Sequence, residues 1–220
     1  VAHEIRNPLN AISMASQRLQ REYLPCEEDK GQEFSRLTGV VRDEIRRLNV
    51  IIEDFLTFSR SRRLELRQFS LTEVIQKLAR LMGEEARARG VALTVKSAPD
   101  ALMVPMDVDK LQQALINIVK NALESIDGTG SIDIVLEKQP GDRAVVRISD
   151  TGAGLAPGEI EKIFDPDYTT KEKGLGLGLP IAYEIIRGHG GTIDVQSSQG
   201  RGTTFEISLP AQPAPAAAPR

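Results

Sequence analysis

The hexapeptide HEIRNP, His3 to Pro8, places one of only two histidines beside an acid and one helical turn before an amide, Asn7. An imidazole of ordinary pKa, about 6.5, is roughly three quarters neutral at pH 7, so it can act as a nucleophile without a large shift. When one ring nitrogen attacks, positive charge develops on the ring. A carboxylate that holds the other N–H stabilises that charge, and Glu4 is the candidate. Counting 100° per residue, Val1, Ile5, Leu9, Ile12, Ser16, Leu19 and Tyr23 share a narrow arc, with His3 and Asn7 on the opposite side. The spacing predicts an amphipathic helix from Val1 to about Tyr23 with His3 facing solvent. Pro8 removes the amide that would bond the Glu4 carbonyl, which favours a bend at that turn. Six residues alone are equally a solvated helix face.

Three further segments carry potential chemistry. Asn117 and Asn121 lie one turn apart on a predicted helix, opposite an apolar face of Leu111, Leu115, Ile118, Ala122 and Ile126. Asparagine is a mediocre helix-interior residue, but its amide oxygen is a hard, neutral ligand suited to a Mg²⁺ that already carries phosphate oxygens. In SDTGAGL, Asp150 ends a predicted strand, and Gly152 and Gly154 form a turn that lets backbone approach a ligand. A carboxylate there can accept from an exocyclic amine, although Asp and Gly are also common turn residues. The run KGLGLGLP sets Gly174, Gly176 and Gly178 before a helix with Pro180 in its first turn, where free amides favour phosphate oxygens. It lacks the G-K-[ST] ending of a P-loop and the spacing of a dinucleotide fingerprint. Lastly, GRGTTF places Thr203 at the start of a strand.

The elements that must position these residues divide at about residue 66. After a break at Pro25 and CEEDKGQ, a second helix carries Phe34, Leu37, Val41, Ile45, Leu48, Ile52, Phe55 and Ser59 at alternating steps of three and four. One hairpin buries two such stripes poorly, so residues 1–66 are expected to form an antiparallel helical hairpin that pairs with a second copy as a four-helix bundle. Beyond the charged stretch SRSRRLELRQ, Ser70 caps a predicted helix to about Arg89, Gly90 ends it, and VALTV reads as a strand. A helix over about 108–126 follows, then strands at IDIVLEK, RAVVRIS, TIDVQS and TTFEISL. Strands and helices mix without regular βαβ alternation, so residues 67–210 are expected to form an α+β sandwich, a mixed sheet packed on helices. The tail 211–220, rich in Pro and Ala, is expected to be disordered.

A formal net charge of −3 gives no broad basic field, so nucleic acid is not an expected partner. The single cysteine, Cys26, excludes an intramolecular disulfide and fits a cytoplasmic setting. No apolar run approaches the roughly 20 residues of a membrane span. Because the chain opens two residues before His3, an upstream sensor region, membrane-anchored or not, is expected outside it.

In order and type, these motifs resemble those of bacterial sensor histidine kinases of two-component systems, from His3 to Leu209. HEIRNP is similar to the phosphoacceptor box and LINIVKNALESI to the asparagine box. DTGAGL and GLGLGL resemble the two glycine boxes, with IFDPDYTTK similar to the phenylalanine box between them. The resemblance implies a dimerisation and phosphotransfer hairpin followed by the ATP-binding sandwich shared with gyrase, heat-shock chaperone and mismatch-repair ATPases. It implies ATP and Mg²⁺ as cofactors, with Asn121 as the Mg²⁺ ligand and Asn117 assisting at the phosphates or the ion. Asp150 would accept from adenine N6, with Gly152 and Gly154 beside it and Thr203 near the base. Residues 153–179 would form a lid, Gly174, Gly176 and Gly178 would face the phosphates, and Lys171 or Lys173 would supply charge. His3 would then be phosphorylated and would pass the phosphoryl group to an aspartate of a response-regulator receiver domain. Asn7 could orient water for dephosphorylating that regulator.

Three departures from the family pattern bear on these roles. Glu124 stands where many relatives carry a lysine, Asp167 where a second aromatic is usual, and the first half-turns of helix one are missing. Two other function classes compete. A hydrolytic ATPase of the chaperone and gyrase type uses a glutamate base in the nucleotide-site helix, where this chain has Asn117. An inactive dimeric scaffold would have no need of four nucleotide motifs. His189, in HGG, is read as ending a helix, without a catalytic role.

Overall fold

The structure is a computed structural model describing residues 2–23, 28–59, 64–97, 102–166, 168 and 176–211, with side chains for these except 2–8, 28–29, 46–47 and 49–59. The chain forms two compact units, Val1–Ser61 and Arg62–Arg220.

The first unit contains helices α1, Ala2–Glu22, and α2, Glu28–Ser59. Six peptide links between Glu22 and Glu28 reach at most about 23 Å, whereas α1 is about 32 Å long, so two helices in lateral contact must run antiparallel. They meet at a polar point inside the hairpin. The Ser16 hydroxyl donates to the Thr38 carbonyl at 3.2 Å, and the Thr38 hydroxyl donates back to Phe34 of its own helix at 2.8 Å. Ser16 and Thr38 are buried there, as is Ile45.

The second unit opens with strand β1, Arg67–Ser70, followed by helix α3, Leu71–Ala88. Ser70 accepts from the Glu73 amide at 3.3 Å, satisfying one of the orphan donors of the first turn. Gly90, at a φ of +74°, turns the chain into strand β2, Val91–Ser97. Strand β3, Met103–Met106, leads into helix α4, Val108–Ser125, where the Asp107 side chain caps the Lys110 amide. Strands β4, Gly130–Gln139, and β5, Arg143–Asp150, form a hairpin. A short helix α5, Pro157–Ile160, precedes helix α6, Gly178–Gly188, and strands β6, Thr192–Ser198, and β7, Gly202–Pro210.

The main sheet runs β2-β4-β5-β7-β6, with β2 parallel to β4 and the remaining pairs antiparallel. Strand alternation sorts its two faces. Ile132, Ile134 and Leu136 of β4, Ala144, Val146 and Ile148 of β5, and Phe205, Ile207 and Leu209 of β7 point inward and are fully buried. They share one core with Leu71, Ile75 and Leu78 of α3, Leu111, Leu115 and Ile118 of α4, and Ile181 and Ile186 of α6. The result is the expected α+β architecture, helices layered on one face of a mixed sheet.

Two readings of the sequence change. The charged stretch before Ser70 includes β1, which pairs antiparallel with β3, Arg67 opposite Met106, as a separate two-stranded ribbon. Each strand has four residues, too short for alternation to register. The tail is not wholly without structure either. Ala211 is buried against the core and its amide donates to the Asp142 carbonyl at 2.7 Å, while residues 212–220 lie outside the described part.

The Ser70 cap is isolated from the candidate site. Ser70→Ala should lower the stability of the second unit by about 1 kcal/mol, read as a lower urea midpoint at unchanged slope.

Candidate nucleotide site

Asp150 occupies the last position of the inward-facing row of β5, after Ala144, Val146 and Ile148, so the pleat directs its carboxylate toward the helix layer. It is 7% exposed. Three donors converge on Oδ1: the Gly152 amide at 2.8 Å, the Thr203 amide at 3.2 Å and the Ser125 hydroxyl at 3.2 Å, which shares its one proton with the Ala122 carbonyl at 2.8 Å. They come from the loop after β5, the start of β7 and the last turn of α4. The Gly152 contact is an Asx turn, so the turn reading and the ligand reading of DTG both hold. With Oδ1 saturated, Oδ2 is the oxygen available to an external donor.

Burial pushes the Asp150 carboxyl above its ordinary pKa, and the bonds from Gly152, Thr203 and Ser125 oppose that shift without cancelling it. A largely buried carboxylate is suited to accept from an exocyclic amine, because its net charge favours a donor over a competing acceptor.

Close backbone approach explains two glycines. A Cβ on Gly202, at φ +90°, would lie 1.9 Å from the Asp150 carbonyl oxygen, and one on Gly152 would lie 2.0 Å from the Ser125 hydroxyl. Side chains at either place would push apart the elements that meet at Asp150. The loop that follows is stitched on both sides. The Ala153 amide donates to the Ser125 carbonyl at 3.0 Å, the Gly200 amide to the Ala153 carbonyl at 2.6 Å, and the Leu155 amide to the Ser197 hydroxyl at 2.8 Å. Gly154 sits within this seam, where a Cβ would strike the Ser198 carbonyl.

Asn117 and Asn121 are both half-buried on α4. The Asn117 amide nitrogen donates to the Gly178 carbonyl at 3.0 Å, tying the middle of α4 to the start of α6. Gly176, at φ +67°, and Leu177 lead into α6, which has no side-chain N-cap, so its first-turn amides are left for another acceptor. Phe164 packs its ring 5.1 Å from that of Tyr183 on α6, and Tyr168 also rests against the core.

Thus Asp150, Gly152, Gly154 and Thr203 come together at one end of the sheet, and Asn117, Gly176 and Gly178 meet where α4 passes α6. His3, Glu4 and Asn7 lie on α1, but their side chains are outside the described residues, as are Lys171, Lys173, Gly174 and Asp167 altogether. Sequence reasoning missed Ser125 and Ser197. Ser125 follows Asn117 and Asn121 at one further step of four, so the helix period could have found it. Ser197, whose hydroxyl lies 2.9 Å from that of Thr203, carries no such signal.

A buried acid at a sheet end, glycines that admit backbone contact and a helix lined with asparagines define an ATPase class, and the comparisons agree. Residues 106–213 match the histidine kinase-, DNA gyrase B-, and HSP90-like ATPase family, and residues 1–64 match the His Kinase A (phospho-acceptor) domain. The chain belongs to the sensor histidine kinases. It is 34% identical over 210 residues to sensor histidine kinase ZraS of Salmonella typhimurium, covering 96% of this chain and 44% of that protein. The catalytic domain of histidine kinase ThkA is 33% identical with a TM-score of 0.61, covering 66% of this chain and 95% of that one. ThkA in complex with response regulator protein TrrA gives 30% identity and a TM-score of 0.69 over 96% of this chain and 60% of that one. Full-length ShkA in complex with AMPPNP gives 25% identity and a TM-score of 0.84, covering 98% of this chain and 45% of that one. The chain therefore spans less than half the length of ZraS.

The raised Asp150 pKa has a sign that can be measured. The folded chain holds this proton more tightly than the unfolded chain, between the ordinary carboxylate value of about 3.9 and the raised folded value. Its contribution to stability therefore falls as pH rises through that window. Asp150→Asn lacks the titration, so the urea midpoint of the variant minus that of the parent should climb across the window and then level off. A difference that is flat or declines with pH would contradict the assignment.

Proposed function

We propose that this chain is the kinase core of a two-component sensor, which transfers the γ-phosphoryl of ATP to His3 and then to an aspartate on a response-regulator receiver domain. The observation that carries the nucleotide half is the Asp150 carboxylate, held by Ser125, Gly152 and Thr203 with one oxygen left for adenine N6. Residues 67–210 form the ATP-binding domain in this reading, and residues 1–66 the dimerisation and phosphotransfer hairpin. AMPPNP bound to ShkA and TrrA bound to ThkA support ATP and a receiver domain as ligands of the same kind.

The phosphates lie against the first-turn amides of α6, reached through Gly174, Gly176 and Gly178, with Lys171 or Lys173 adding charge from a lid over residues 153–179. Phe164 and Tyr168 anchor that lid to the core. Among the described residues no group of three or more His, Cys, Asp or Glu could hold a metal ion. This donor set fits Mg²⁺ held by one neutral ligand, Asn121, and otherwise by phosphate oxygens and water, with Asn117 positioned beside it. Bound there, Mg²⁺ would neutralise charge on the transferring phosphoryl group. Glu4 holds the second ring N–H of His3 as the first nitrogen attacks phosphorus, and the bond to the ADP oxygen breaks in line. Asn117, at the position of the glutamate base in hydrolytic relatives, cannot take a proton from water, which favours transfer over hydrolysis.

A homodimer follows from what the hairpin leaves uncovered. Ile12, Leu19, Tyr23, Leu37, Val41 and Leu48 are between 37% and 62% exposed, a stripe that a second copy would bury as a four-helix bundle. No helix among the described residues is long and apolar enough to cross a membrane. We place the core in the cytoplasm.

Incubated with γ-labelled ATP and Mg²⁺, the chain should acquire acid-labile, alkali-stable label that His3→Ala abolishes and Asn121→Ala reduces about 100-fold or more. Unchanged labelling of His3→Ala would sink the phosphotransfer reading. Mixing these two variants gives label only if transfer crosses between protomers. For hydrolysis of the phosphorylated regulator, Asn7→Ala should keep autophosphorylation and lose dephosphorylation of the receiver domain, assayed by the decay of purified phosphorylated regulator. Full phosphatase activity in that variant removes Asn7 from the mechanism.

A further inference from the structure

His189 is the one described histidine side chain, it is 2% exposed, and both of its ring nitrogens are engaged. Nε2 accepts from the Asp107 amide at 3.0 Å, and Nδ1 lies 2.7 Å from the Ile185 carbonyl. An amide N–H can only donate, so Nε2 must be the unprotonated nitrogen and Nδ1 must carry the hydrogen that Ile185 accepts. The surroundings thereby select one neutral tautomer. Asp107 is itself the N-cap of α4, and its Oδ2 lies 3.4 Å from the Glu65 amide. The ring thus joins the last turn of α6 to the first turn of α4.

The same two helices are joined once more, at Asn117 and Gly178. From Asp107 to Asn117, α4 advances ten residues, about 15 Å, and from Gly178 to His189, α6 advances eleven, about 16 Å. The start of α4 is pinned to the end of α6, and the middle of α4 to the start of α6, so the pair runs antiparallel with two fastenings of matching separation. The apolar core that the two helices share is non-directional, and one polar fastening on it fixes a single point of contact. Two set the axial register of α4 against α6. That register decides how Asn117 and Asn121 stand relative to the first-turn amides of α6.

We propose that His189 is a positioning residue for the nucleotide site, acting through the Asp107 amide to hold α4 in register with α6. The role rests on the reading of α4 and α6 as the walls of an ATP site. It assigns His189 a task beyond ending α6, one that needs the acceptor at Nε2 rather than the helix-capping bond at Nδ1.

Two substitutions of similar size separate those bonds. His189→Gln places an amide oxygen near the Nε2 position and can still accept from Asp107. His189→Asn reaches only the Nδ1 position, keeping the bond to Ile185 while losing the one to Asp107. In the full chain, calorimetric titration with AMPPNP and Mg²⁺ should give a Kd at least tenfold higher for His189→Asn and within threefold of the parent for His189→Gln. In ¹⁵N spectra the Asn117 side-chain amide should shift in the first variant and hold its position in the second. Equal losses in both variants, or parental affinity and an unmoved Asn117 amide in His189→Asn, would overturn the proposal. The parent gives an independent check if a variant fails to fold, because its ¹⁵N-histidine spectrum must show the Nδ1–H tautomer at His189, and an Nε2–H tautomer refutes the role. If the parent binds no nucleotide, the ATP reading fails, and the Asn117 amide still reports on the register.

Discussion

The structure of the second unit converges on one buried carboxylate. Asp150 is the point where β5 ends, β7 begins, the last turn of α4 passes and the glycine loop starts, and the last three of these each direct one donor at the same oxygen. An unpaired carboxylate at that depth would be costly, so the donors are a condition of its burial rather than an addition to it. The glycines follow from the same constraint. Gly152 and Gly202 exist where three backbones must crowd around the acid, and a Cβ at either would drive them apart.

The helices meet that sheet end in two different ways. α4 supplies amides on one face and core on the other, so a single amphipathic element both fills the interior and lines the candidate site. α6 supplies a start without a side-chain cap, and its first turn is steadied from the flank by Asn117 instead. An uncapped helix start is unfavourable alone. It is useful where a phosphate is to take the place of the cap. The hairpin unit obeys a simpler rule. Among its described side chains it buries a small polar contact at Ser16 and Thr38 and leaves Ile12, Leu19, Tyr23, Leu37, Val41 and Leu48 of the apolar stripe exposed.

Much of this was legible in the chain, for local reasons. Ser70 before an apolar period, Gly90 after it and the 3.6-residue spacing around Asn117 and Asn121 each act within one or two turns, and α3 and α4 begin and end close to where those signals stand. Elements that depend on a distant partner were not legible. β1 and β3 are four residues each and exist only because they pair across the length of α3. Ala211 reads as the start of a featureless tail, yet it is held by Asp142, some seventy residues earlier, and by the core it completes.

The candidate site divides along the same line. Residue types and their order singled out Asp150, the asparagines and the glycines, because the chemistry of an acceptor carboxylate, a neutral hard ligand and a bare backbone restricts which residues can serve, and the family resemblance added Thr203. Tertiary structure alone decided which oxygen of Asp150 takes the internal donors, that Ser197 belongs to its surroundings, and that Asn117 bonds Gly178. Those outcomes depend on distances between elements far apart in sequence, and periodicity reports only the face a residue takes. His189 shows the difference most plainly. By itself HGG marks a helix end, and only the packing of α6 against α4 gives its second ring nitrogen a partner.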